Sequence, residues 1–103
     1  MDYKLIITER AEELLDNLVY YLLHRLKNEQ AARHLLDSVE EIYDRLEENP
    51  HQFPFCRDGY LSHKGYQEAA LPDMKYLIIF KVDKTKIYVL GVFHELEQYS
   101  HKL

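Results

Sequence analysis

The stretch "KYLIIFKVDKTKIYVLGVFH", residues 75–94, limits the fold of this chain more than any other. Two apolar, β-branched runs flank Lys84 and Thr85, and a separator that short joins neighbouring strands as an antiparallel hairpin. In the first run Tyr76, Ile78, Phe80 and Val82 share one face and Leu77 and Ile79 the other, because side chains alternate along a strand. A strand apolar on both faces belongs in the middle of a sheet. The preceding "YQEAAL", set off by "PDM", reads as a third strand, so the three predict an antiparallel meander.

Upstream the period changes. "YKLIIT" is a short β-branched strand, after which Thr8 is placed to cap a helix whose first turn holds Glu9, Glu12 and Glu13, where the helix dipole favours carboxylates. Ala11, Leu14, Leu15, Leu18, Leu22 and Leu26 follow at steps of three and four, one apolar stripe on an amphipathic helix. Asn28 caps a second helix with the stripe Ala32, Leu35, Leu36, Val39, Ile42, Tyr43 and Leu46, ending at "ENP" because Pro50 pushes the residue before it out of helical geometry. The short link "LKNEQ" turns the pair into an antiparallel hairpin, with Glu40, Glu41, Asp44, Glu47 and Glu48 on its solvated side. From Pro50 to Gly65 no period is sustained, which predicts a loop pinned by Phe53 and Phe55. The order predicts an α+β fold over residues 1–103 as a single domain: an N-terminal strand, the helical hairpin, then the three-stranded meander, with the helices on one face of the sheet.

Composition narrows the function. With 103 residues the chain can build one core but not two. No stretch approaches the ~20 apolar residues that cross a bilayer, and "MDYKLIITER" lacks the features of a signal peptide, so a cytoplasmic protein with no membrane contact is expected. The single Cys56 fits a reducing compartment and reads as a loop thiol. A net charge of −5 rules out binding nucleic acid with the whole surface, so any such contact is local. Most carboxylates lie between Glu9 and Glu48, whereas Arg57 to Lys86 is mildly basic.

Candidate chemistry gathers in the second half. "HEL" at His94 opens like a zinc-protease helix, but Gln98 stands where the second histidine belongs and His101 is too far along, so no metal is expected. With only three glycines there is no phosphate-cradling loop, and no cofactor is implied. His94, at a strand end, can exchange protons near neutrality, or simply bond a neighbouring backbone group. Tyr99 can stack on a base, relay a proton, or merely pack. Arg57, His63, Lys64, Lys75 and Lys81 are the basic set available to a phosphate, Lys81 sharing its strand face with Leu77 and Ile79.

Taken together, "YKLIITERAEELLDNLVYYL" and "KYLIIFKVDKTKIYVLGVFHELEQY" resemble the opening strand and helix and the closing hairpin of the RelE/ParE superfamily of bacterial toxins. The resemblance covers nearly the whole chain. It implies a microbial-ribonuclease-like fold, the toxic half of a type II toxin–antitoxin module, and a cognate antitoxin as partner. RelE-like members cut mRNA on the ribosome, whereas ParE-like members poison DNA gyrase without being nucleases. In the cutting branch a ribose 2′-hydroxyl attacks the adjacent phosphate without a metal, and His94 and Tyr99 match the terminal His and Tyr, with Lys81 the basic residue before "VD" and Lys64 and Arg57 in the basic loop. The expectation is a ribosome-dependent mRNA endoribonuclease, with a gyrase inhibitor and a degenerate toxin that only holds its antitoxin as the alternatives. Where many relatives carry arginine, this chain has Gln67, Glu68 and Glu97, and a carboxylate repels a phosphate that an arginine would hold.

Overall fold

The computed structural model describes residues 2–103. Strand β1 (Lys4–Ile7) leads into helix α1 (Glu9–Tyr20), a π-helical turn (Tyr21–Arg25) and helix α2 (Glu29–Glu48). A 3-10 turn (Pro50–Gln52) and a short helix α3 (Gly59–His63) precede β2 (Gln67–Ala70), β3 (Tyr76–Asp83) and β4 (Lys86–His94), and a last 3-10 turn covers Tyr99–Lys102. The sheet order is β1-β4-β3-β2. The expected meander is present, and β1 adds to it in parallel alongside β4, from Lys4 opposite Lys86 to Ile7 opposite Val89. The doubly apolar β3 is interior to the sheet, as its sequence requires.

Both caps read from the sequence form. The Thr8 hydroxyl accepts from the Ala11 N–H at 3.1 Å and donates to the Val89 carbonyl at 2.7 Å, so one side chain starts α1 and fastens it to β4. Asn28 Oδ1 accepts from the Ala31 N–H at 3.0 Å, and α2 stops at Glu48 before Pro50. Three expectations are corrected. The first helix does not run on to Leu26: it widens into the π turn after Tyr20, the added residue shifts the phase of the stripe, and Leu26 is left 54% exposed. The segment 50–65 is not a plain loop, because Asp58 caps α3 through the Leu61 N–H. Phe53 does pack there, edge-on to Phe80 at 6.0 Å, but Phe55 is 61% exposed.

Two apolar clusters lie on opposite faces of the sheet. The helix-side cluster contains Leu35, Val39 and Ile42 of α2 with Ile78, Phe80, Ile87, Val89 and Val92. On the other face Cys56 and Leu61 cover Leu77, Ile79 and Phe93, with Leu14, Tyr66, Leu90, Tyr99 and Leu103 around them. A β-bulge decides which residues of β4 face which cluster. Ile79 pairs with Gly91 but Phe80 pairs with Val89, so Leu90 is the extra residue and the alternation of β4 reverses there. Ile87 and Val89 before it face the helices, and so do Val92 and His94 after it.

Candidate functional site

The end of β4 and the segment after it are folded by a short network. The His94 backbone N–H donates to Glu97 Oε1 at 2.9 Å, and the Glu97 N–H donates back to the His94 carbonyl at 3.0 Å. Lys102 Nζ closes on Glu97 Oε2 at 2.5 Å. Partial burial works against the Glu97 charge, but the Lys102 ammonium and the His94 N–H outweigh it and hold the carboxyl below its ordinary range. Glu97 therefore organises the tail, a structural task.

The imidazole of His94 is also engaged. Its Nδ1 accepts the Leu96 N–H at 3.1 Å, and its ring meets Tyr76 edge-on at 5.4 Å. With Nδ1 taken up by the Leu96 N–H, Nε2 is the ring nitrogen left for any other partner. His94 pairs with Tyr76 and lies on the helix-side face.

Tyr99 is on the opposite face, its ring stacked on Phe93 at 5.6 Å and 24°. Burial, then the negative charges of Glu68 and Asp58, push its phenol up despite Arg57. It stays protonated and can donate but not accept a proton. Beside it a recess of about 120 Å³ is lined by Arg57, Glu68, Ala70, Tyr76, Leu77, Glu95 and Tyr99. Glu68, 5% exposed, accepts the Arg57 backbone N–H at 2.7 Å, while the Arg57 guanidinium stands 4.0 Å off and swings into solvent. A larger hollow of about 410 Å³ on the other side is lined by Asp58, Glu95, Glu97, Gln98, Tyr99, Ser100 and His101. Carboxyl groups thus border Tyr99 on both sides. Gln67, also buried, donates from Nε2 to the carbonyls of Phe53 at 3.0 Å and Pro50 at 3.3 Å, tying the 50–55 segment to β2.

The basic residues divide. Lys64 Nζ lies 4.9 Å from the centre of the Tyr66 ring and 5.1 Å from that of Tyr60, and Lys81 Nζ lies 5.9 Å from Tyr66, so two cations bracket one aromatic ring. Lys81 is on the face with Leu77 and Ile79, as expected. His63, in the last turn of α3, and Lys75, in the link before β3, are exposed and enter no salt bridge among the described residues. The structure therefore brings Arg57 to Tyr99 and Lys64 to Lys81, and places His94 across the sheet from all four. Sequence reasoning missed Tyr66 and Tyr76, whose signal was their place in strand-like runs opposite charged or histidine partners. Among the described residues no group of three or more His, Cys, Asp or Glu is placed to hold a metal ion. Cys56 is buried, which with the nearby Glu68 and Asp58 pushes its thiol up to about 12, so it is no nucleophile at neutral pH.

Comparison with solved structures gives the same architecture. A chain described as the chromosomal ParDE TA system from P. aeruginosa superposes with a TM-score of 0.72 at 17% identity, covering 89% of this chain and 95% of that one. A chain of the toxin–antitoxin complex RelBE2 from Mycobacterium tuberculosis gives 0.64 at 21% identity, over 91% and 99%. No curated protein matches the chain in sequence. The sequence pattern of the ParE toxin of the type II toxin–antitoxin system parDE matches residues 5–99. The match runs from within β1 through α1, α2, α3 and β2 to the end of β4 and on to Tyr99, and the chain belongs to the ParE toxin family of type II toxin–antitoxin systems.

Proposed function

We propose that this toxin acts by gripping DNA gyrase rather than by cutting mRNA, and that an antitoxin protein is its cognate partner. The observation that carries the reading is the state of His94. Its Nδ1 is spent on the Leu96 N–H, and its face of the sheet is not the face of Tyr99, Lys64 and Lys81. Attack of a ribose 2′-hydroxyl on the adjacent phosphorus, with departure of the 5′-oxygen, needs a base for the attacking hydroxyl, an acid for the leaving oxygen and cations around one phosphorus. Here the acid that shares a recess with Arg57 is a half-buried tyrosine bordered by carboxyl groups, and the histidine is on the helix-side face. The antitoxin is proposed because both solved relatives are described as members of toxin–antitoxin assemblies.

The mRNA-cutting reading keeps one favourable observation, the two lysines around Tyr66, which would suit a stacked base and its phosphate. Purified protein separates the two. Added to gyrase and relaxed plasmid, it is expected to block supercoiling and leave protein-linked DNA breaks, and added to translating ribosomes it is expected to leave the message intact. Cleaved message with undisturbed supercoiling would reverse the proposal.

A further inference from the structure

The sheet face turned away from the helices is covered over only one half. Cys56, Leu61, Tyr99 and Leu103 close over Leu77, Ile79 and Phe93, where β3 begins and β4 finishes. At the other end the face is open: Lys4, Lys81, Asp83 and Lys86 are exposed there, and Ile6 and Tyr88 partly so. Register lays a row of side chains across it. Lys81 pairs with Tyr88 and Tyr88 with Ile6, so the three share this face. Tyr66, one residue before β2, continues the row, with the Lys81 ammonium 5.9 Å from the centre of its ring. The Lys64 ammonium then lies 4.9 Å from the Tyr66 ring and 5.1 Å from that of Tyr60, which is 64% exposed. From α3 to β4 the order is Tyr60, Lys64, Tyr66, Lys81, Tyr88, ring and cation in alternation. A second row beside it sets Lys4 opposite Lys86, and Lys86 opposite Asp83.

Charge and rings together say what fits. Five lysines, counting Lys84 in the hairpin turn, gather at this end against Asp2 and Asp83, in a chain whose net charge is −5. No salt bridge engages any of the five among the described residues. The carboxylates nearer α3 are taken up by backbone, Asp58 by the Leu61 N–H and Glu68 by the Arg57 N–H. Like charges directly opposite each other on neighbouring strands destabilise a sheet, so the Lys4–Lys86 pair works against folding until an anion lies over it. An acidic peptide would answer the charge and leave the alternating rings without a task. A duplex hides the faces of its bases. An unpaired strand alternates base and phosphate as this row alternates ring and cation, and sheet faces hold such strands by stacking bases on aromatic side chains while lysines follow the backbone.

We infer that the open half of the sheet binds single-stranded nucleic acid, seating bases on Tyr60, Tyr66 and Tyr88 and phosphates on Lys4, Lys64, Lys81 and Lys86. The strand is held and not cut, because His94 is on the helix-side face. The inference goes beyond the gyrase reading and does not depend on it.

Fluorescence anisotropy of the purified protein with labelled oligothymidylate and oligouridylate of about 15 nucleotides tests it. Log affinity is expected to fall against log salt with a slope of about −2 to −3, as release of counterions from three or four phosphates requires. Lys64→Glu with Lys81→Glu, both at exposed positions, should weaken binding about tenfold or more and leave the melting temperature close to that of the parent. Arg25→Glu with Lys75→Glu makes the same change in net charge outside the open half and should weaken it by less than about threefold. Tyr88→Ala should cost about fivefold or more, and Tyr88→Phe, which keeps the ring, should not. Oligonucleotides recovered from the titration should be intact. This pattern with either oligonucleotide supports the inference, and the tighter of the two names the strand. No binding to either at low salt, binding that the Lys64 and Lys81 changes leave unaltered, or a labelled polyglutamate held as tightly as the oligonucleotides would overturn it. The supercoiling assay decides the gyrase reading separately, whichever way this titration falls.

Discussion

Replacing Gly91 by alanine tests the way β4 is built. A Cβ at that position would stand 2.5 Å from Phe93 Cε2, 2.7 Å from Cζ and 3.0 Å from Leu14 Cδ1, where carbon atoms in contact prefer about 3.5–4.0 Å. The backbone there is ordinary, so the cost is steric and not conformational. Phe93 cannot simply turn away, because it is fully buried and stacked on Tyr99. Forcing a methyl group into such a site costs about 1–3 kcal/mol, and removing a glycine from the unfolded chain returns about 0.4–1 kcal/mol. The net expectation is a loss of about 1–2 kcal/mol, or on the order of 5–15 °C in melting temperature for a domain of this size. Thermal or urea unfolding of Gly91→Ala measures it. Phe93→Leu adds the control: it opens a cavity alone, but combined with Gly91→Ala it makes room, so the double variant should lose less than the sum by at least about 0.5 kcal/mol. An alanine variant as stable as the parent, or strictly additive losses, would refute the packing argument and with it the placement of Gly91 and Phe93 on the face away from α2.

Lys84 sits at φ 59° in the two-residue turn between β3 and β4, a conformation that suits glycine, so Lys84→Gly is expected to stabilise the fold by about 0.5–1 kcal/mol in urea unfolding. Gln67→Leu leaves the Phe53 and Pro50 carbonyls without their buried donor and should cost about 1–3 kcal/mol by the same measurement. Because the Glu97 carboxyl is held below its unfolded value of ~4.3, its contribution is complete above that pH and is lost as the pH falls through the folded value. The His94 amide, which donates to Glu97 Oε1, should therefore keep its protection factor against hydrogen exchange from neutrality to about pH 5 and lose it below about pH 4, and a loss at that amide that begins above pH 5 would contradict the network.

The order of the elements was legible because each rests on local chemistry. Thr8 and Asn28 announce their helices by side-chain oxygen, Pro50 stops α2 by sterics, and the Lys84–Thr85 spacing allows nothing but a hairpin. What was not legible depends on contacts far apart in sequence. The parallel pairing of β1 with β4 joins the two ends of the chain, and the Thr8–Val89 bond beside it reaches across 81 residues. The bulge at Leu90 has no residue signature of its own. Without it, counting by twos along β4 from Val89 would put His94 on the face of Lys81, whereas the bulge turns it to the helix-side face. Glu68 and Gln67 read as substitutions in a phosphate site, and their burial and bonds to the 50–57 backbone show what they do instead.

The measurement that bears most directly on the account is induction of this gene in growing cells beside its His94→Gln variant, with the 5′ ends of abundant mRNAs mapped in both. Glutamine can still accept the Leu96 N–H but cannot exchange a proton at neutral pH. A toxin that works by binding is expected to arrest growth in both forms, with no new mRNA ends in either. Arrest accompanied by new ends, both abolished by His94→Gln, would contradict it and make His94 part of a ribonuclease centre.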